Sequence, residues 1–545
     1  MTRHRPPGVS ELIAGAAVVL AAALLRFWSP ASMGIEHFDE GVYVISALGL
    51  TDPALPDPLF AHQLFFSPPL YFGIVYVAQV LTGGALDLVA VLVSASLGTL
   101  TVALVWWAGR SWFGPGAGLA AAGLLALSEF HIALSRTALT DVTFAFFLLL
   151  AVVLIERALR GASLAIATAA GLTVGLAWNT KYHGWLALAL GLSAWIGYSW
   201  HRGAAPDLRR SLVVWAVIAG VAVAAWLPWT LYIQSQPGGY ASLTQWQGVF
   251  MEGAWLDNLV RHLRQERYLD GPLTDASVPV AIALALLGAG VRRLSWRAAG
   301  LGVCLTAASC LAGGYAAVVL LGLAGLVSLM RGPGTLAGWL AGICLTTFMI
   351  LTPFYHPYAR LFLPITAMAS LLAGLSLGRL ATWESASGRG LRGGAALFLA
   401  VSATVVALGA RPANGSDPWR AARGAADAAA AMAKAIPLGS RVKVIEEPSV
   451  AYYLHRDGFD TLRNVHDKEM PRDETGTFYV VTGYYGTAGL EQLGDRVSLV
   501  GSFPMKPKDI RLTDDLVPPF VSRDPAADSG EHDLYLFKVK ALGAL

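Results

Sequence analysis

Strongly apolar windows, many close to the roughly 20 residues that a helix needs to cross a bilayer, recur between residues 12 and 408. Inside hydrocarbon a backbone must satisfy its own amides, and a single segment can do so only as a helix. With 55% hydrophobic and 14% charged residues, the composition agrees. The chain reads as an all-α polytopic membrane protein followed by a small soluble α/β domain.

The first window, 12–25, follows Arg3, His4 and Arg5 and has no clear small-residue cleavage site after it, so it is expected to stay as the first span. The polar stretch 29–67 holds Asp39, Glu40, Asp52, Asp57 and His62 but no Lys or Arg, which puts it on the external side. Ser67-Pro68-Pro69-Leu70-Tyr71 then opens a short apolar helix of interfacial or re-entrant type. Windows at 86–108, 116–127, 139–155, 164–178, 185–200, 212–233, 278–291, 301–311, 316–330, 336–351, 361–377 and 395–408 alternate in direction by their flanking Lys and Arg. Together with the first they make about 13 spans, an odd count that leaves the tail outside. Two domains result, a membrane domain at 1–410 and an extracytoplasmic one at 411–545.

In the tail, 419–435 is Ala-rich and helical, 449–456 is a second helix, and 441–445, 478–482 and 534–539 read as strands. It carries no Gly-rich phosphate loop and no catalytic triad, so docking or support is its expected role. The net charge of +3 is spread over short loops and forms no basic stripe, which excludes nucleic acid as a partner. Cys304, Cys310 and Cys344 lie in apolar segments without metal-ligand spacing and read as packing residues.

Charge at the outer rim needs a further explanation. Glu36-His37-Phe38-Asp39-Glu40 places carboxylates and an imidazole at the membrane boundary. Arg136, Lys181, Arg261, Arg264, Arg267 and Arg360 fall on the same side, where the positive-inside rule does not account for them. All but Arg360 have a bland reading: Arg136 pairing with Asp141, Lys181 reaching water beside His183, and Arg261, Arg264 and Arg267 as a solvated helix face. His356 and Arg360 would share a face, with Tyr355 and Tyr358 beside them, if a helix began near Pro357. Acids that deprotonate an acceptor, set opposite cations that stabilise a leaving phosphate, suit sugar transfer from a lipid phosphate. A transporter or flippase of anionic or lipid-linked substrates is the alternative; it would favour charge at mid-span depth and related halves, and neither is evident.

His37-Phe38-Asp39-Glu40, Ser67-Pro68-Pro69-Leu70-Tyr71, Ser135-Arg136-Thr137-Ala138-Leu139-Thr140-Asp141, Gly175-Leu176-Ala177 to Lys181-Tyr182, and His356-Pro357-Tyr358-Ala359-Arg360 occur in this order. The ordered set resembles the GT-C membrane glycosyltransferases, in particular the bacterial aminoarabinose transferase and protein O-mannosyltransferase group. The resemblance covers roughly the first 380 residues. It implies transfer of a sugar from a polyprenyl-phosphate donor to a lipid, glycan or protein acceptor, usually with inversion, at the outer face of a bacterial inner membrane. It also implies Asp39 as the catalytic carboxylate, with Glu40 positioning it or helping to bind a divalent cation. Donor phosphate binding is implied for Arg136, Lys181 and Arg360, with His62, Asp141, His183, His356 and Tyr358 as secondary candidates. Ser67 stands where members of the group often carry a Lys before the Pro-Pro pair.

Overall fold

The computed structural model describes residues 8–51, 67–161, 163–202, 208–251, 253–288, 313–330, 335–387, 417–461, 477–483, 495–505 and 532–540. Helix α1 (Val9–Arg26) leads through a 3-10 turn at Pro30–Ser32 into α2 (Phe38–Thr51), whose first turn carries Asp39 and Glu40. Then α3 (Leu70–Thr82) starts directly behind the Pro68-Pro69 pair and stops at Gly83, whose φ of 64° suits a residue without Cβ. Helices α4 (Leu86–Phe113), α5 (Pro115–Ala126), α6 (Glu129–Ser135), α7 (Thr140–Gly161), α8 (Leu164–Trp178), α9 (Leu186–Arg202) and α10 (Leu208–Ser235) follow. After α10 come α11 (Gly239–Gly248), α12 (Trp255–Leu269), α13 (Pro272–Gly288), α14 (Gly314–Met330), α15 (Leu336–Leu351) and α16 (Leu363–Ser387).

Six of the described helical segments are long and apolar enough to cross a membrane, seven if the pair α5 and α6, bent by 63°, is one span. Of the windows expected from sequence, 301–311 and 395–408 lie outside the described residues. Burial ranks the spans: Ala359–Arg379 is 83% buried inside the protein, whereas Val9–Ser32 is only 17% buried. The former is therefore central and the latter peripheral. Helix α16 packs against α5, α13, α14 and α15, and its backbone comes so near α5 that a Cβ on Gly374 would stand 2.3 Å from the Ala117 carbonyl. Small residues at such crossings let membrane helices associate by close van der Waals contact.

The tail folds around a four-stranded mixed sheet in the order β1-β2-β4-β3. Its strands are β1 (Val442–Ile445), β2 (Phe478–Thr482), β3 (Val497–Met505) and β4 (His532–Val539), with β1 parallel to β2 and the other pairs antiparallel. Helices α17 (Gly424–Ala435) and α18 (Pro448–Arg456) complete it. Sequence periodicity anticipated β1, β2, β4 and both helices, with α17 starting later than the expected 419. Strand β3 was not anticipated, because Gly501 and Pro504 interrupt it. Among the described strands it lies at the sheet edge and shifts register between Leu499 and Gly501, a setting that tolerates both residues.

The tail is stitched to the segment between α1 and α2. Met33 and Ala422 form a parallel bridge in which the Gly34 amide donates to the Ala422 carbonyl at 2.5 Å and the Ala422 amide to the Ser32 carbonyl at 3.0 Å.

Candidate active site

Local capping sets the geometry of the acidic stretch. Helix α2 begins at Phe38, so His37 occupies the capping position and Glu40 the third helical one. Glu40 Oε2 accepts from the amides of Glu36 at 2.8 Å and His37 at 3.0 Å, the reach-back of a capping box. The Asp39 amide donates to His37 Nδ1 at 3.0 Å. Glu40 Oε1 meanwhile accepts from the Ala138 amide at 2.7 Å, tying the turn to the segment before α7. Asp39 lies inside the first turn, where the positive helix end favours its ionised form.

With the capping done by its neighbours, the Asp39 carboxylate turns to Arg360. Their Oδ2 and Nη1 stand 2.5 Å apart, and each side chain is only 10% exposed. Burial alone would raise the Asp39 pKa, but the Arg360 guanidinium outweighs it, with smaller contributions from His37 and Lys181, and holds the carboxyl below the ordinary value. Arg360 sits on a 3-10 turn at Ala359–Phe362, its guanidinium 5.1 Å from the centre of the Tyr358 ring. Residues 356–358 are not helical: the Tyr358 amide donates to the His356 carbonyl at 2.8 Å, and Tyr358 itself is extended. His356 and Arg360 therefore do not share a helix face, contrary to the i, i+4 expectation.

A second ion pair lies nearby, with Lys181 Nζ 2.8 Å from Asp141 Oδ1. Lys181 follows the end of α8, and Asp141 is buried in the first turn of α7 with its Oδ2 making no hydrogen bond among the described residues. His183 turns away from solvent and meets the Phe144 ring edge-on at 4.6 Å. Burial, and secondarily Lys181, lowers its pKa to about 3, so the imidazole is neutral. Tyr43, one helical turn after Asp39, lies within electrostatic reach of Asp39, Arg360 and Asp141. Sequence reading missed it, since a tyrosine in an apolar helix looks like packing; its i, i+4 spacing from Asp39 was the available signal.

The loop that carries Arg360 is held from α11 and α12. The His356 amide donates to the Phe250 carbonyl at 2.7 Å, and Tyr355 Oη donates to Gln247 Oε1 at 2.9 Å. From α12, Asn258 Nδ2 donates to the Pro353 carbonyl at 3.1 Å and Trp255 Nε1 to the Ile350 carbonyl at 2.8 Å. His262, on the buried face of the same helix, packs edge-on against Phe362 at 4.7 Å.

Arg136 is placed differently from expectation, while Glu40 takes the positioning alternative. Arg136 does not meet Asp141, which pairs with Lys181. Fully buried, its Nε donates to the Pro418 carbonyl at 2.8 Å, and its Nη1 to the carbonyls of Arg26 at 3.0 Å and Trp28 at 2.6 Å. It is a clamp between the end of α1 and the start of the tail, with Nη2 making no hydrogen bond among the described residues. Glu40, with both oxygens accepting from backbone amides, shapes the loop rather than presenting a free carboxylate. Arg267, on α12, pairs with Asp275 at 3.3 Å, while Arg264 is exposed to solvent. His62 lies outside the described residues.

A divalent cation was left open for Asp39 and Glu40. Glu40 is engaged by three amides and Asp39 Oδ2 by a guanidinium, and among the described residues no group of three or more His, Cys, Asp or Glu has the arrangement to hold a metal ion. These side chains as arranged do not form a cation cradle.

Residues 32–237 match the family model described as dolichyl-phosphate-mannose-protein mannosyltransferase. The fold is similar to that of ArnT from Cupriavidus metallidurans, solved bound to undecaprenyl phosphate, with 15% identity, 97% of this chain and 98% of that chain covered, and a TM-score of 0.55. It is also similar to the Archaeoglobus fulgidus oligosaccharyltransferase AglB, solved with an inhibitory peptide and a dolichol-phosphate, at 14% identity over 87% of this chain and 69% of that one, TM-score 0.53. No curated protein sequence matches the chain. The resemblance expected from the ordered motifs is borne out by the family match and by the fold shared with these proteins.

Proposed function

We propose that this multi-pass membrane protein, built on the GT-C fold, transfers a sugar from a polyprenyl-phosphate donor to an acceptor on the extracytoplasmic side of a bacterial inner membrane. The observation that carries the reading is the buried Asp39–Arg360 pair beside the Lys181–Asp141 pair. The mannosyltransferase family match over residues 32–237 and the polyprenyl phosphates bound in the two structural relatives support it.

In this reading Asp39 takes the proton from the acceptor hydroxyl or amine as that atom bonds to the anomeric carbon. The anomeric C–O bond breaks with its electron pair passing to the donor phosphate. Attack opposite the leaving group inverts the anomeric centre. Arg360, a planar donor fork suited to phosphate, and Lys181 stabilise the charge that builds on the departing oxygen. Both cations are paired with carboxylates beforehand, so an arriving phosphate finds donors already oriented. Tyr358, against the guanidinium, fixes the fork's plane.

A carboxylate held below its usual pKa is a weak base, which suits a late proton transfer in an oxocarbenium-like step, when the acceptor proton has become acidic. The soluble tail supports the loop that bears Asp39. Nothing observed favours a transporter. The test is transfer of labelled sugar from polyprenyl-phosphate sugars in membrane vesicles: a labelled, acceptor-linked product supports the reading, and movement of intact donor without product contradicts it.

A further inference from the structure

We infer that Tyr453, in the C-terminal domain, is a positioning residue for the loop that carries Asp39, so that the tail forms part of the active centre. The inference rests on the reading of Asp39 as the reacting carboxylate. The Tyr453 side chain lies on α18, fully buried, 418 residues from the backbone it holds. Its hydroxyl accepts from the Ile35 amide at 3.0 Å and donates to Asp87 Oδ2, in the first turn of α4, at 3.2 Å. One oxygen thereby links the tail, the loop backbone and the N-terminus of a membrane span.

The same helix grips the loop at two further points. Ser449 Oγ donates to the His37 carbonyl at 3.0 Å. Gly41, two residues after Asp39, lies so close to α18 that a Cβ there would come within 2.3 Å of the Ser449 amide. Glu36 in turn accepts a hydrogen bond from the Gly424 amide at the start of α17. From Ile35 to Gly41 the backbone is thus fixed from the tail side, while Glu40 fixes it from the Ala138 side. Burial raises the Tyr453 pKa, so the hydroxyl keeps its proton and remains a donor to Asp87.

The consequence concerns the position of Asp39. Its carboxylate must reach Arg360 on the opposite wall, and small displacements of a reacting group cost large factors in rate. Tyr453→Phe keeps the ring and its packing and removes only the hydroxyl. Ser449→Ala removes the second contact, and Val480→Ala, in the sheet core at 0% exposure, loosens the tail without touching the loop.

Two measurements on the full-length protein in lipid test the inference. Amide hydrogen exchange over residues 34–41 should speed up in Tyr453→Phe and Ser449→Ala but not in Val480→Ala. Sugar transfer by Tyr453→Phe should lose roughly 10- to 100-fold in kcat with donor KM little changed. The acid limb of its pH profile should move upward, as Asp39 loses register with Arg360, its principal cation, and with His37 and Lys181. A variant that merely held less folded enzyme would keep the wild-type profile. Unchanged exchange in Tyr453→Phe overturns the inference, and so does faster exchange with wild-type kcat and pH profile. Faster exchange in the variants, with no transfer by the wild type from any polyprenyl-phosphate sugar, overturns the transferase reading and leaves the coupling of tail to loop standing.

Discussion

Asp39 and Arg360, 321 residues apart in the chain, meet at 2.5 Å between the first turn of α2 and the 3-10 turn before α16. One lies in a helical turn stitched to the tail and the other at the start of the most buried span, Ala359–Arg379. The pair therefore joins α2 to the turn before α16, and both partners lose if either is removed.

Replacing Arg360 by Ala should leave a buried carboxylate without its main cation. Transfer should fall by roughly 100-fold or more, donor KM should rise, and Asp39 should titrate at higher pH. The sign follows from the depressed pKa: the working carboxylate is present above it and lost as pH falls through it, so the wild-type acid limb lies below the ordinary carboxylate range and that of the variant lies higher. Lys in place of Arg360 should restore charge but not the planar fork, and recover only part of the rate. Transfer kinetics across pH for the two variants check both statements.

Arg136 gives the opposite pattern. Because it bonds three carbonyls at the junction of α1 and the tail, Arg136→Ala should lower the thermal stability of the purified protein, by an amount on the order of 1–3 kcal/mol for the stranded carbonyls. Donor KM for the fraction that stays folded should not move. A raised donor KM at unchanged stability would return Arg136 to the phosphate site.

Asp270, between α12 and α13, is buried, and its pKa is pushed up to about 7, chiefly by burial and further by Asp275 and Glu129, against hydrogen bonds from Thr274 and the Tyr315 amide. A raised carboxyl pKa means the folded protein keeps a proton that the unfolded chain releases. Stability should then fall as pH rises from about 4 to about 7 and level off above. Asp270→Asn should flatten that slope, which thermal melts at pH 5, 6, 7 and 8 would measure.

Much of this was legible in the chain, and the exceptions have physical causes. Span length and Lys/Arg placement report membrane helices because the bilayer enforces both. Asp39, Lys181 and Arg360 stand out as charges where no topological rule asks for them, and the structure brings them together. Their partners were not legible. Arg136 and Asp141 are five residues apart and look like a local pair, yet Asp141 takes Lys181 from the next helix end and Arg136 takes carbonyls 110 and 282 residues away. Tyr453 gives no signal at all, since a buried tyrosine on a nine-residue helix is indistinguishable from core until the loop it bonds is seen. The edge position that admits Pro504 into β3 is equally a property of the sheet rather than of the segment.

The most direct test compares wild type with Asp39→Asn, a nearly isosteric change that removes the base, at matched expression in membrane vesicles supplied with labelled polyprenyl-phosphate sugar. Transfer should be abolished, or fall by at least about 100-fold, while donor binding measured separately persists. Transfer at the wild-type rate by Asp39→Asn would contradict the assignment of Asp39 as the reacting carboxylate.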